Sequence, residues 1–364
     1  MTQDRQVGLD AVRGIAIALV LVFHLRLDTG VPAIDSLLRP VIDTGWVGVD
    51  LFFVLSGYLV GRIILRDSVT PAGLDRRRFF VRRIARLWPV LYFYLAMLVA
   101  TGGAAMVLPV VAHVQNYADH VPSHLWSLAV EEHFYLAAAF GLPVMLRRYG
   151  PRAVAMTLVA ILVGCLALRL VALGAGVLPR EVQWQTHYRA DAIAAGVLIA
   201  LAELYRPAML DRVARCVAPC MIGAAMGFAS LAAIPGDRFR YGIGLTIAYI
   251  ASAMLVVVAR RPVRLHGIAR SFAWLGGIAY PLYIFHASIG RVADGVAPGL
   301  GLTDPFGQIV WRYAMVVIVA WIVAIVVERP LIRLSKSPWM SLSLLRTSIT
   351  KPCQVRSLAV APRT

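Results

Sequence analysis

The chain has 364 residues, 60% of them hydrophobic and 15% charged, with a mean hydropathy of +0.74. Soluble domains hold about 45–50% apolar and about 25% charged residues, so the composition excludes a water-soluble enzyme, a disordered chain and a disulfide scaffold. The net charge of +17 would suit a nucleic-acid partner, but in a membrane protein the position of each charge decides its meaning.

Apolar runs long enough to cross a bilayer recur along the chain. The pattern predicts an all-α, polytopic integral membrane helical bundle of about ten transmembrane helices, at 9–27, 46–66, 87–112, 125–146, 153–173, 188–205, 214–234, 241–259, 272–290 and 308–327. Prolines such as Pro32, Pro71, Pro122, Pro151, Pro179, Pro207, Pro235 and Pro305 punctuate the connections. Gly57/Gly61 and Gly223/Gly227 have the small-xxx-small spacing of close helix packing. With the N-terminus inside, 25 of the 36 Lys and Arg fall on cytoplasmic segments and 9 on external ones, while Arg13 and Arg62 lie within spans. The positive-inside rule then sets both termini in the cytoplasm and turns most of the charge into a topology signal. No nucleic-acid partner is expected. Arg13 inside the first apolar run, and the lack of a small-residue cleavage site, predict a span and not a cleaved leader. Cys165, Cys216, Cys220 and Cys353 fall in spans or on the inner side, which argues against a disulfide framework. No metal-ligand cluster or nucleotide fingerprint appears, so no metal and no permanently bound cofactor are expected. Residues 1–334 form the expected transmembrane domain, and 335–364 a polar cytoplasmic tail expected to be poorly ordered.

Ionisable groups inside a bilayer are costly, so each one is a functional candidate. In the first span Arg13 and His24 are eleven residues apart, which places both on one helix face, roughly 16 Å apart along the axis. The alternative is that Arg13 pairs with Asp10 and snorkels while His24 reaches water at the outer end. The fourth span begins outside with His124-Leu125-Trp126-Ser127-Leu128-Ala129-Val130-Glu131-Glu132-His133-Phe134-Tyr135, where Ser127, Glu131 and Tyr135 share a face. Counting inward places Glu131 near the depth of His24, as suits a carboxylate that holds an imidazole base. A buried ion pair with Arg13, Arg189 or a histidine would serve structure alone. Arg189 and Asp191 open the sixth span and Asp50 the second, as helix caps or as ligands of a polar acceptor. In the ninth span His286 follows Pro281, which is expected to kink the helix; packing and chemistry are both open for this histidine.

The stretch Arg76-Arg77-Arg78-Phe79-Phe80-Val81-Arg82-Arg83-Ile84-Ala85-Arg86 reads as an amphipathic helix lying on the inner leaflet. It is either a topogenic, lipid-binding patch or a phosphate site, since arginine presents a bidentate fork to phosphate oxygens.

These motifs together resemble the acyltransferase family 3 proteins, multi-span O-acyltransferases of bacterial envelopes. The matches are Leu9-Asp10-Ala11-Val12-Arg13-Gly14 running to His24, Val47-Gly48-Val49-Asp50 through Leu59, Arg82-Arg83-Ile84-Ala85-Arg86-Leu87-Trp88-Pro89, and Trp126 through Leu136. Weaker echoes are Arg189-Ala190-Asp191 with Gly196, Tyr280-Pro281-Leu282-Tyr283 with His286, and Glu328-Arg329-Pro330. The seven stretches run in family order across 9–334, and the chain resembles the stand-alone members expected to lack an appended esterase-like domain. His133 stands where many members have Gln.

The resemblance implies acyl transfer in the bacterial cytoplasmic membrane. The donor would be cytoplasmic acyl-CoA, acetyl-CoA by default. The acceptor would be a sugar hydroxyl of an envelope polysaccharide, lipopolysaccharide or other glycoconjugate. It implies that Arg82, Arg83 and Arg86 hold the coenzyme A phosphates and that His24 is the general base or a transient acyl carrier. Glu131 would orient His24, Arg13 would stabilise developing negative charge, and Asp50, Ser127, Arg189, Asp191 and His286 would bind substrate. Rival readings are a transporter or flippase, acylation of a glycosylated secondary metabolite at the cytoplasmic face, and a purely structural membrane protein. The oligomeric state is left open.

Overall fold

The computed structural model describes residues 4–262 and 264–335, and its regular structure is helical, with no strand among the described residues. The tail expected to be poorly ordered lies outside the described residues from 336 onward. The helices are α1 (Asp4–Leu25), α2 (Pro32–Thr44), α3 (Val47–Ser68), α4 (Arg76–Ala100), α5 (Val107–Val111), α6 (Trp126–Gly174), α7 (Pro179–Trp184), α8 (Thr186–Tyr205), α9 (Pro207–Arg215), α10 (Val217–Ala233), α11 (Asp237–Phe239), α12 (Leu245–Ala259), α13 (Ile268–Gly276), α14 (Ala279–Val296), α15 (Pro305–Val323) and α16 (Arg329–Ser335).

Among the described residues six helices are long and apolar enough to cross a bilayer, or eight segments if each bent pair is one span. One of the six, Ser123–Gly174, is two helices that meet at Gly150, whose φ of 77° only glycine adopts without strain, just before Pro151. Val217–Ala233 is a shorter apolar helix. Each of the ten expected segments is mostly helical, but two differ in form. The third runs over 76–100 instead of 87–112: Asp75 caps its start by accepting from the Arg78 N–H at 2.9 Å, and the Gly102–Gly103 pair follows its end. The arginine stretch is therefore continuous with the apolar helix that follows, not a separate helix. It forms the first turns of the spanning helix itself. The ninth breaks at Gly276–Gly277 into α13 and α14, bent by 81°. Pro281, expected to cause a kink, sits in the first turn of α14, where its missing N–H has no helical partner to lose.

Glycines set the closest approaches. A Cβ at Gly57 would collide with the Ile193 carbonyl, and one at Gly196 with that of Val54, so α3 and α8 meet backbone to backbone. Gly223 and Gly227 also face α12, but there a Cβ would meet mainly the side chains of Met254, Ala251 and Ile247. Gly14 and Gly276 abut the carbonyls of Phe272 and Asp10, which presses α13 against the turn of α1 that carries Arg13. Gly196→Val should therefore force α3 and α8 apart and lower stability by about 1–3 kcal/mol. Gly141→Ala, with open space around it, should leave the melting temperature unchanged or slightly higher. Thermal unfolding of both variants in detergent micelles checks this.

Candidate active site along the first helix

Three cavities follow one another along α1, named inner, middle and outer in order from its N-terminal end. The inner one, about 930 Å³, is lined by seven arginines (Arg13, Arg62, Arg66, Arg78, Arg82, Arg83, Arg86) against Asp10, Asp67 and Asp75. The middle one, about 190 Å³, has the apolar walls Phe52, Phe53, Leu59 and Leu87 and the polar groups Arg13, Arg83, Arg86, Ser56, Ser127, Glu131, Tyr280, Tyr283 and Glu328. The outer one, about 940 Å³, includes His24, Arg26, Asp28, Tyr94, Thr101, Ser123, His124, Arg291, Asp294 and Arg312. Arg13, Arg83, Arg86 and Leu87 line both the inner and the middle cavity, which makes those two adjacent.

Helix direction explains the order. Going up α1, Asp10 and Arg13 precede His24; going up α4, Arg82 and Arg86 precede Tyr94 and Leu98. Helix α6 runs the other way, with His124 just ahead of it in the outer cavity and Ser127 and Glu131 in the middle one. Between middle and outer cavities stands a hydrogen-bonded wall. The Tyr283 hydroxyl donates to the His124 carbonyl and accepts from Ser127 Oγ at 2.5 Å.

In the middle cavity the Arg83 guanidinium lies 3.6 Å from the centre of the Tyr135 ring, and its Nε is buried without a partner. Glu131 has Arg83, Ser56 and Tyr135 as its electrostatic neighbours. Glu328 faces Arg86, Arg329 and Arg13, and its Oε2 is buried without a partner. Arg13 pairs with Asp10 at 2.5 Å.

In the outer cavity His24 Nδ1 lies 2.9 Å from the Val20 carbonyl. Its ring meets that of His286 with centroids 4.9 Å apart, and His286 meets His124 at 5.1 Å. Arg13 and His24 thus line one column of cavities, in line with their shared face. The pairing of Glu131 with His24 is not found. Glu131 lies seven residues beyond His124 on an inward-running helix, roughly 10 Å deeper. It is His124, not Glu131, that reaches the level of His24, and the Val20 carbonyl, not a carboxylate, holds the His24 ring.

Asp50, Arg189 and Asp191 line none of the three cavities. Asp50 pairs with Arg189 at 2.9 Å and Asp191 with Arg169 at 2.6 Å, all four side chains essentially buried. These pairs favour a structural role over the substrate-binding one expected, because an unpaired charge in an apolar interior is far more costly than a paired one. Arg169 also donates to Tyr188 O, Gly242 O and Thr246 Oγ1, so four of its five N–H donors are engaged. Ser127 lines the middle cavity as expected, and His286 sits fully buried behind His24. Arg169 carried no expected role, although it stands as a lone arginine in the apolar run 153–173. Glu203 also carried no expected role, though Arg66 donates to it at 2.9 Å and Tyr58 is hydrogen-bonded to it.

Removing Asp191 would leave Arg169 buried and alone, so Asp191→Ala should reduce stability by about 3–5 kcal/mol. The double variant Arg169→Met, Asp191→Leu should recover most of it. Melting curves decide; undiminished stability together with weakened glycan binding would return Asp191 to the substrate site.

Comparison with known proteins places this geometry. The family model described as an acyltransferase domain matches residues 6–327. The chain is 27% identical to the putative peptidoglycan O-acetyltransferase YrhL of Bacillus subtilis, over 87% of this chain and 52% of that protein. It is 25% identical to the O-acetyltransferase OatA of Staphylococcus aureus, over 78% and 50%. It is also 25% identical to the peptidoglycan O-acetyltransferase OatA of Listeria monocytogenes, over 87% and 53%. The chain spans about half the length of the curated relatives it matches. No solved structure matches it.

Proposed function

Because the chain belongs to the acyltransferase domain family, we propose that it is a multi-pass membrane O-acetyltransferase acting on a sugar hydroxyl of an envelope glycan. The observation that carries this reading is the column of cavities from the inner arginines, past Arg13, to His24. In this reading the bundle crosses the bacterial cytoplasmic membrane about ten times with both termini inside, as the bias of 25 to 9 basic residues favours.

Acyl-CoA enters from the cytoplasm, its phosphates on Arg82, Arg83 and Arg86, whose forks suit phosphate oxygens. The slender apolar middle cavity takes the pantetheine arm and thioester. The glycan enters the outer cavity, where hydroxyls, backbone and charges of both signs suit a polar acceptor. A carbonyl only accepts hydrogen bonds, so His24 Nδ1 carries the hydrogen held by Val20 and Nε2 keeps a lone pair. Nε2 removes the acceptor's proton as its oxygen attacks the thioester carbonyl. The C–S bond breaks and the thiolate leaves. Arg13 offsets the negative charge developing on the carbonyl oxygen. Glu131, facing Arg83, holds that guanidinium in place. The Ser127–Tyr283 wall opens for thioester and His24 to meet.

A second reading has one observation in its favour. The two bent helix pairs, at 115° and 81°, are a feature that transporters build around a substrate. The readings part on coenzyme A release: purified protein with acetyl-CoA and glycan should liberate thiol and form an O-acetyl ester visible by mass spectrometry, whereas a flippase would do neither. His24→Ala should abolish ester formation at normal protein level. Arg83→Ala should raise the apparent KM for donor about ten- to a hundredfold while leaving chemistry possible, as expected for a lost charge-assisted hydrogen bond.

A further inference from the structure

The imidazole behind His24 is the feature the reading above leaves unused. His286 is fully buried on α14, with Nδ1 2.8 Å from the Tyr283 carbonyl. The carbonyl accepts, so Nδ1 carries the hydrogen and Nε2 bears the lone pair. That Nε2 is buried and has no hydrogen-bond partner. The same logic holds for its two neighbours. His24 directs Nδ1–H to Val20 O, and His124 directs Nε2–H to Ile284 O at 3.0 Å. Three rings in a row, with centroids 4.9 and 5.1 Å apart, thus keep three basic nitrogens: Nε2 of His24, Nε2 of His286 and Nδ1 of His124. Each ring's one hydrogen points to backbone. Among the described residues no group of His, Cys, Asp or Glu is arranged to hold a metal ion. A buried acceptor without a donor is an unsatisfied group.

We propose that His286 is the proton store of the site. It is a positioning residue that takes over, on Nε2, the proton that His24 removes from the acceptor hydroxyl, with His124 as the third member of the chain. This rests on the acyltransferase reading. As the sugar oxygen bonds to the acyl carbon and the C–S pair leaves on sulfur, the proton passes from oxygen to His24 Nε2 and on to His286 Nε2. The departing thiolate takes it back when the chain discharges. The cavity-facing imidazole is thereby restored to its basic form. The titratable and charged groups around the chain are Tyr94 on α4, Tyr283, Arg291 and Asp294 on α14, Arg26 and Asp28 after α1, and Arg312 on α15. Asp294 is paired with Arg312 at 2.5 Å. Among the described residues none of these hydrogen-bonds to the three basic nitrogens.

His286→Gln keeps a polar group near the position of Nε2 but cannot take a proton. The intact wild-type chain, His24→Ala and His286→Gln are assayed for coenzyme A release and ester formation across pH. The expected result is a fall in kcat of about tenfold or more, with KM for acetyl-CoA and glycan within about twofold of wild type. The kcat–pH profile should change shape, and added imidazole should restore turnover in His286→Ala. His124→Gln, which keeps the donor to Ile284, should show the same split more weakly and stands in if the His286 variants do not fold. Wild-type kcat and pH profile in His286→Gln, or a loss that imidazole cannot rescue in folded His286→Ala, would overturn the proposal while the acyltransferase reading stands. No thiol release by the wild-type chain would overturn both.

Discussion

A charge in hydrocarbon must find a partner, and that constraint divides this bundle in two. On the side where α3 meets α8, α6 and α12, the charges are matched: Asp50 with Arg189, Asp191 with Arg169, Glu203 with Arg66 and Arg62. These pairs, with the glycine contacts between α3 and α8, form a rigid block. Helix α3 itself shows the division. Asp50, Val54, Gly57 and Gly61 lie on the face turned to α8, whereas Phe52, Ser56, Leu59 and Ile63, at i, i+4, i+7 and i+11, line the middle cavity.

On the other side of α3, charges lie along open space. Buried polar atoms without a hydrogen-bond partner occur on both sides: Arg83 Nε, Glu328 Oε2 and His286 Nε2 here, and Asp50 Oδ2, Arg189 Nε and Nη1 and Arg62 Nε among the paired charges. Arginines predominate at the inner end and imidazoles at the outer end, with the narrow middle cavity between them. Such a gradient suits the proposed reaction, in which an anionic donor and a neutral acceptor would arrive from opposite ends. It also explains why α13 is forced close to α1 through Gly14 and Gly276: that contact fixes the turn bearing Arg13 at the junction of the inner and middle cavities.

Much of this was legible in the chain. Hydrophobic runs and their punctuation located the helices, because the bilayer permits no other backbone solution over these lengths. The Arg13–His24 spacing placed both residues on one face, since helical geometry is a local property. The glycine pair Gly57/Gly61 announced close packing. Less legible were the helix ends at Ala100 and Gly276, where glycine pairs act as breaks and a proline expected to kink merely sits in a first turn.

The sequence by itself determined which segments are helical, which faces carry charge, and that the chain is a family member built for a membrane. Only the tertiary structure decided which charge meets which. Partner choice depends on the relative depth of helices that run in opposite directions, and a shift of two turns replaces one partner by another. That is why Glu131 faces Arg83 and not His24, why Asp50, Arg189 and Asp191 hold the block together instead of lining a cavity, and why His24 stands beside His286 and, through it, His124.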